Sequence, residues 1–415
     1  MAQIIIEKGG GMTEQALSDI KILDLTWYIS GPYCAKLFAD YGADVLKVER
    51  PGEGDPARKM GPFFQDDPHP EKSGLFLHLN TNKKGITLNL KSEWGRRVIK
   101  ELVKDVDILV ESFRPGLMER LGLDYESLEK INPGLVMTSI SNFGQTGPYR
   151  DFKASELVIF GMGGSMKPLG LPEREPVKKG TGTPVLFSGG NAAAMMTMIA
   201  LYAAKTQGIG EHLDMSLFQA QIGSIDRRMS ELIAYQYNNE VTVRVDRRAT
   251  RMFPYGIHPA QDGYWEIAAI GSQWPAVSKM LDMPEILEKW PNIMAQIAPG
   301  AREEFDAIFI PWCFEHTKKE CVELGQKAGA LCGPLATTED MLQDPHFRDR
   351  GFWVEIEHPV VGKVTYPGAP IKAEEMPWQI RRPAPLLGQH NEEIYCEKLG
   401  YTKQELVKLK EAGVI

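Results

Sequence analysis

Residues 20–50 read IKILDLTWYISGPYCAKLFADYGADVLKVER, and this stretch decides the fold. Ile20–Thr26 is a short apolar run ending in a polar turn. Ser30-Gly31-Pro32 then leads into a helical pattern from Tyr33 to Tyr41. Gly42 stops that helix, and Val45–Val48 begins a second strand-like run. Strand, helix and strand within about thirty residues make a βαβ unit, which requires parallel strands and a right-handed crossover. Working outward, Gly85–Leu90 and Asp107–Glu111 read as strands around a helix at Glu93–Lys104, and Leu135–Ser141 and His212–Leu217 as further strands. The expectation is a doubly wound α/β sheet. Ala192–Ala204 (AAAMMTMIALYAA) is apolar nearly all round, which predicts a buried helix whose methionines fill the core.

At 415 residues the chain is too long for one ordinary core. We read 1–18 as a flexible tail, 19–217 as the first part of a large Rossmann-like domain, and 218–243 as a linker. Residues 244–344 form a smaller α+β domain, and 345–415, rich in proline and glycine, are a return segment completing the large domain. The smaller domain opens on the basic run RVDRRATR (Arg244–Arg251). It continues with a strand at Gly263–Ala269 and helices at Trp274–Leu281, Ala301–His316 and Lys318–Gly329. The return segment carries strands at Phe352–Ile356 and Gly362–Tyr366 and a last helix at Lys403–Glu411.

Composition is that of a soluble globular protein, with 43% hydrophobic and 25% charged residues. A net charge of −8 offers no electrostatic ground for a nucleic-acid partner. The first eleven residues are neither a signal h-region nor a span, Met12 is a candidate start of the folded part, and no stretch reaches the roughly 20 apolar residues of a spanning helix. The five cysteines (Cys34, Cys313, Cys321, Cys332, Cys396) and eight scattered histidines show no metal-ligand spacing. Reduced thiols in the cytoplasm, with no membrane and no metal, are the expectation.

Nine motifs in order then resemble one family. They are LDLTWYISGP (Leu23–Pro32), LFADYGADVLKVERP (Leu37–Pro51), GDPAR (Gly54–Arg58), NKKGITLNLK (Asn82–Lys91), DILVESFRPGLMERLG (Asp107–Gly122), SNFGQTGPY (Ser141–Tyr149), GIGEHLDMS (Gly208–Ser216), CGP (Cys332–Pro334) and RPAPLLGQH (Arg382–His390). The chain is similar to the family III CoA-transferases, also called the carnitine- and bile-acid-CoA-transferase family. The resemblance implies two subunits interlocked like chain links, CoA and acyl-CoA as substrates, and no tightly bound cofactor. It implies a carboxylate that attacks the acyl-CoA thioester to give a mixed anhydride with release of CoA. The freed thiolate then forms an enzyme-CoA thioester, and the acceptor acid reverses both steps.

The same resemblance carries CoA contacts onto Arg50, Leu88, Lys91, Phe113, Arg120 and Lys153. Each cation, taken singly, reads as an ordinary solvated surface residue; the motif frame is what singles it out. Ser112 stands where the family more often has Asn, so one hydrogen bond to CoA is in doubt.

The family's nucleophilic Asp, in Asp-x-x-x-Gly, falls on Leu186, with Gly190 as its glycine. No Asp or Glu lies between Glu175 and Glu211. Leucine has no lone pair, so it opens no thioester. Glu156 matches a position the family fills with an acid and is a surrogate candidate; its plainer role is stabilisation of a helix N-terminus. Ser155 and Leu186 stand where family racemases carry His and Asp, which disfavours racemase chemistry. The family's glycine-rich lid has only Ile270-Gly271-Ser272 as a candidate. Among family members the chain looks most like the Asp-less chain of the paired-subunit succinyl-CoA:(R)-benzylsuccinate CoA-transferases of anaerobic toluene degradation. That implies a heterodimer or heterotetramer in which a homologous partner supplies the Asp. An active homodimer using Glu156 and a CoA-binding scaffold or regulatory protein are the alternatives.

Overall fold

A computed structural model describes residues 15–178, 180, 182–223, 228–241, 243–244 and 252–415. The tail through residue 14, with Met12, and most of the RVDRRATR run lie outside the described residues. The chain packs as two units, one of residues 1–169, 177–242 and 351–415, the other of residues 170–176 and 243–350.

The first unit is built on six strands: β1 Lys21–Asp24, β2 Asp44–Glu49, β3 Lys84–Thr87, β4 Ile108–Glu111, β5 Val136–Ser141 and β6 Glu211–Ser216. They lie in the order β3-β2-β1-β4-β5-β6, every neighbouring pair parallel. This is the doubly wound arrangement expected, and the strand order reverses between β1 and β4. Parallel strands alternate their side chains between two buried faces. Ile22, Val45, Ile108, Val110, Val136 and Ile140 enter one core, and Leu23, Leu46, Val48, Ile86, Leu109 and Met137 the other.

Five helices of this unit are α1 Ser30–Ala39, α2 Glu93–Val103, α3 Glu156–Met162, α4 Pro184–Gln207 and α5 Leu217–Gly223, of which α1, α4 and α5 reach the site. Helix α1 starts three residues before its expected onset, because Ser30 and Gly31 are already helical and Pro32 suits the first turn. Helix α4 packs on α1, β5 and β6, and Gly190 permits the approach. A Cβ there would lie 2.4 Å from the Ser30 carbonyl oxygen.

Two expectations about α4 need correction. Its 24 residues are long and apolar enough to cross a membrane, although half of the most apolar window is buried inside the protein. Nor do its methionines fill the core. Met195, Met196, Met198, Ile199 and Tyr202 are exposed, Met195 by 60% and Tyr202 by 71%. Ala193, Ala194, Thr197, Ala200 and Leu201 make the buried face instead, since small residues fit a helix that lies close to its neighbour.

The 351–415 segment contributes the antiparallel hairpin β10 Trp353–His358 and β11 Gly362–Pro367, and then binds the edge strand β3. The Gly85 and Thr87 amides donate to His390 Nδ1 (3.0 Å) and Asn391 Oδ1 (2.9 Å), and the Tyr395 hydroxyl donates to the Thr87 carbonyl (2.8 Å). His390 of the LLGQH motif is thereby a structural acceptor.

The second unit, taken by itself, holds the antiparallel sheet β7 Tyr255–Ala260, β8 Gly263–Ala268 and β9 Cys332–Pro334. The helices Trp274–Leu281, Ala301–Glu315 and Lys318–Ala328 surround an aromatic core of Phe253, Trp265, Trp274, Trp290, Phe305 and Phe309. Ile270-Gly271-Ser272 falls in this unit, at a short 3-10 turn.

Candidate active site

At the carboxyl ends of β1 and β4, where the strand order reverses, a cavity of about 380 Å³ opens. Open α/β sheets bind ligands at such a crevice because the two diverging connections leave it uncovered. Its walls are the 27–29 loop after β1 with the first residues of α1, the 112–115 loop after β4, residues 140–142 and 150–154, and Leu186 and Leu217.

The wall after β1 is fixed by buried charge. Asp24 Oδ1 accepts the Thr26 amide (2.9 Å), Lys47 Nζ donates to the Thr26 carbonyl (2.9 Å), and Asp55 Oδ1 accepts the Tyr28 amide (2.9 Å). Lys83–Asp24 (2.9 Å) and Lys47–Asp55 (2.8 Å) are ion pairs with no solvent exposure on either side. Burial pushes the Asp24 carboxyl up, but Lys83, Lys47 and Thr26 hold it below its ordinary value. This lattice keeps Tyr28 at φ 76°, a left-handed conformation unfavourable for a bulky side chain.

The opposite wall rests on Glu111, which is 3% exposed and accepts the Phe113 amide at 2.7 Å. Burial pushes its carboxyl up to about 7, against hydrogen bonds from Ser139 and the Phe113 amide. Ser112 Oγ accepts the Trp27 amide (3.0 Å), so the residue that replaces the usual Asn ties the two walls together.

Helix α4 enters the cavity by its first turn, with Leu186 7% exposed and packed into the core. Leu186, on which the resemblance puts the nucleophile, therefore reaches the cavity wall with a hydrocarbon side chain. Glu156 lies beside it. Its two carboxylate oxygens accept the Val185 (3.1 Å) and Leu186 (3.2 Å) amides, and Lys178 Nζ stands 3.9 Å away. Glu156 thus satisfies the free N–H groups of α4, a helix that begins 28 residues downstream, as well as opening its own helix α3.

The structure brings Phe113, Lys153 and Leu186 into the cavity wall. Arg50 joins through Trp27, its guanidinium carbon 4.8 Å from the indole centroid. It does not bring in the remaining three. The Leu88 side chain is 2% exposed and lies in the core, Lys91 is exposed beyond β3, and Arg120 is exposed on the short helix Leu117–Leu121. Sequence reasoning missed Trp27, Arg114, Arg150 and Asp151, which also line the cavity. Arg150 Nε is buried with no hydrogen-bond partner among the described residues. The FRPG and GPYRD stretches were the available signal for three of these, since both loops follow strand ends of a parallel sheet. Cations, aromatic rings and a cleft at the switch point are features that suit an anionic, nucleotide-bearing ligand.

The model of CoA-transferase family III matches residues 17–391, and the chain belongs to that family. It is 31% identical over 402 residues to the succinyl-CoA–D-citramalate CoA-transferase of Chloroflexus aurantiacus, covering 96% of this chain and 98% of that one. It is 31% identical over 413 residues to subunit BbsE of succinyl-CoA:(R)-benzylsuccinate CoA-transferase from Thauera aromatica, covering 97% and 98%. Among solved structures, a CAIB/BAIF family protein from Brucella suis superimposes with a TM-score of 0.81 at 29% identity, over 92% of this chain and 99% of that one.

Proposed function

We propose that this chain is the non-catalytic subunit of a cytoplasmic family III CoA-transferase and that a homologous partner, interlocked with it, carries the nucleophilic Asp. The complex moves CoA from an acyl-CoA donor, succinyl-CoA, to a carboxylic acid. The acceptor class is a substituted dicarboxylate such as (R)-benzylsuccinate, a reading supported by the names of the two relatives above.

The observation that carries it is Leu186 at the cavity wall with Glu156 locked beneath it. An attacking carboxylate needs a free, ionised oxygen aimed at the thioester carbon. Both Glu156 oxygens are instead spent on the α4 amides. Asp151 is the one carboxylate on the cavity wall among the described residues, and it is exposed on the 150–154 loop. The uncovered apolar row Met195, Met198, Ile199 and Tyr202 recurs at helical spacing along α4. It supports a partner chain, because a row of that size is costly to leave in water.

The test is purification from the native source, identification of every chain present, and trapping with succinyl-CoA and borohydride or hydroxylamine. The label is expected on an Asp-bearing partner and not on this chain. Covalent labelling of this chain alone, with CoA exchange by the isolated polypeptide, overturns the proposal.

A further inference from the structure

Trp27 stands directly after the β1 turn, half-buried, and meets residues from two other strand ends. The Arg50 guanidinium, after β2, lies over its ring at 4.8 Å. Phe113, after β4, meets it edge-on, with centroids 5.4 Å apart and planes at 86°. Its amide is fastened to Ser112 Oγ, and the next residue is fastened to the buried Asp55. One cation–aromatic unit therefore spans the switch point and is held by backbone bonds on both sides.

Arg50 has a competing partner. Glu53 Oε2 lies 2.6 Å from Nη1, in an ion pair that is half-exposed on both sides. Such a pair contributes little in water, whereas phosphate offers a guanidinium two parallel charge-assisted bonds. The indole decides where the guanidinium waits, since a planar cation lies flat on an aromatic face. The rings beside it suit a purine, which packs on aromatic side chains.

We propose that Trp27 is a positioning residue for the nucleotide half of CoA. It holds the Arg50 guanidinium at the switch point, where phosphate replaces Glu53 as its partner when CoA binds, and it sets the Phe113 ring against which the base packs. This rests on the reading that the chain retains a CoA site.

Calorimetric titration of the full-length chain, together with its partner where they co-purify, tests it with two probes, CoA and 3′-phospho-ADP. Trp27→Leu is expected to weaken both by about 5- to 30-fold, and Trp27→Phe by less, because a smaller ring face remains. In a double-mutant cycle the Trp27→Leu and Arg50→Ala losses are expected to fall short of additivity. Simple additivity means that Trp27 does not act through Arg50 and overturns the inference, as does a CoA affinity untouched by Trp27→Leu while Arg50→Ala lowers it. A loss seen for CoA but not for 3′-phospho-ADP moves Trp27 to the thioester half and overturns it equally. Failure of the wild-type protein to bind CoA refutes the CoA-site reading itself, a result distinct from the others. Indole emission gives a second readout that a purely structural role does not move: CoA quenches the wild type more than Trp27→Phe.

Discussion

Removing the Glu156 carboxylate separates a helix lock from a nucleophile. In Glu156→Ala the Val185 and Leu186 amides lose acceptors at 3.1 and 3.2 Å, in a place where the Glu156 side chain is only 9% exposed. Bonds to a charged acceptor carry roughly 1.5–3 kcal/mol, and loss of a helix cap typically costs about 0.5–2 kcal/mol. Water entering the vacated space recovers part of this, so about 2 kcal/mol is the expected loss. For a unit of this size that is a fall of roughly 3 °C in melting temperature. Glu156→Gln keeps one acceptor oxygen and should lose about half as much. The assay is calorimetric melting of each variant beside succinyl-CoA trapping of the assembled complex. Stability should fall in the order wild type, Gln, Ala, while labelling of the partner persists. Unchanged melting with loss of a covalent label on this chain would refute the argument and make Glu156 the nucleophile.

Other expectations follow from the same geometry. Leu186→Asp puts a carboxylate in a nearly closed space beside Glu156; losing the leucine costs about 2–5 kcal/mol, against roughly 0.3–1 kcal/mol returned by the helix N-terminus. Burial raises that carboxyl's pKa, so the melting deficit should be larger at pH 8 than at pH 5; a deficit independent of pH means the position is open to water. For Glu111, a folded pKa of about 7 above the ordinary 4.5 means that the folded state holds a proton the unfolded state has released. Stability should therefore fall by about 3 kcal/mol as pH rises from 4.5 to 7, and Glu111→Gln should flatten that slope in denaturant titrations; an unaltered slope contradicts the assignment. Gly190→Ala drives a Cβ to within 2.4 Å of the Ser30 carbonyl oxygen, so α4 must move off α1. A melting loss of more than about 2 kcal/mol is expected, and a neutral result would show that the two helices are not in the contact described.

Much of this protein was legible as a string. The βαβ period at 20–50, the Gly/Pro punctuation and the continuous apolar strands dictated a parallel doubly wound sheet, because strands buried on both faces leave few alternatives. It was the family resemblance, counted back from Gly190 to Leu186, that put leucine where the family carries its Asp. What local pattern cannot report is which distant groups meet. Glu156 reads as the start of its own helix, yet its oxygens bond to the head of another. Leu88 lies in the core, whereas Trp27, Arg114 and Arg150, which stand in or beside the motifs without being marked by them, reach the cavity because strand ends converge there. The apolar stretch Ala192–Ala204 reads as a buried helix because hydropathy counts side chains and not their coverers. Only the packed chain shows that, among the described residues, one face is covered and the other is left largely exposed, and burial is a property of the neighbours.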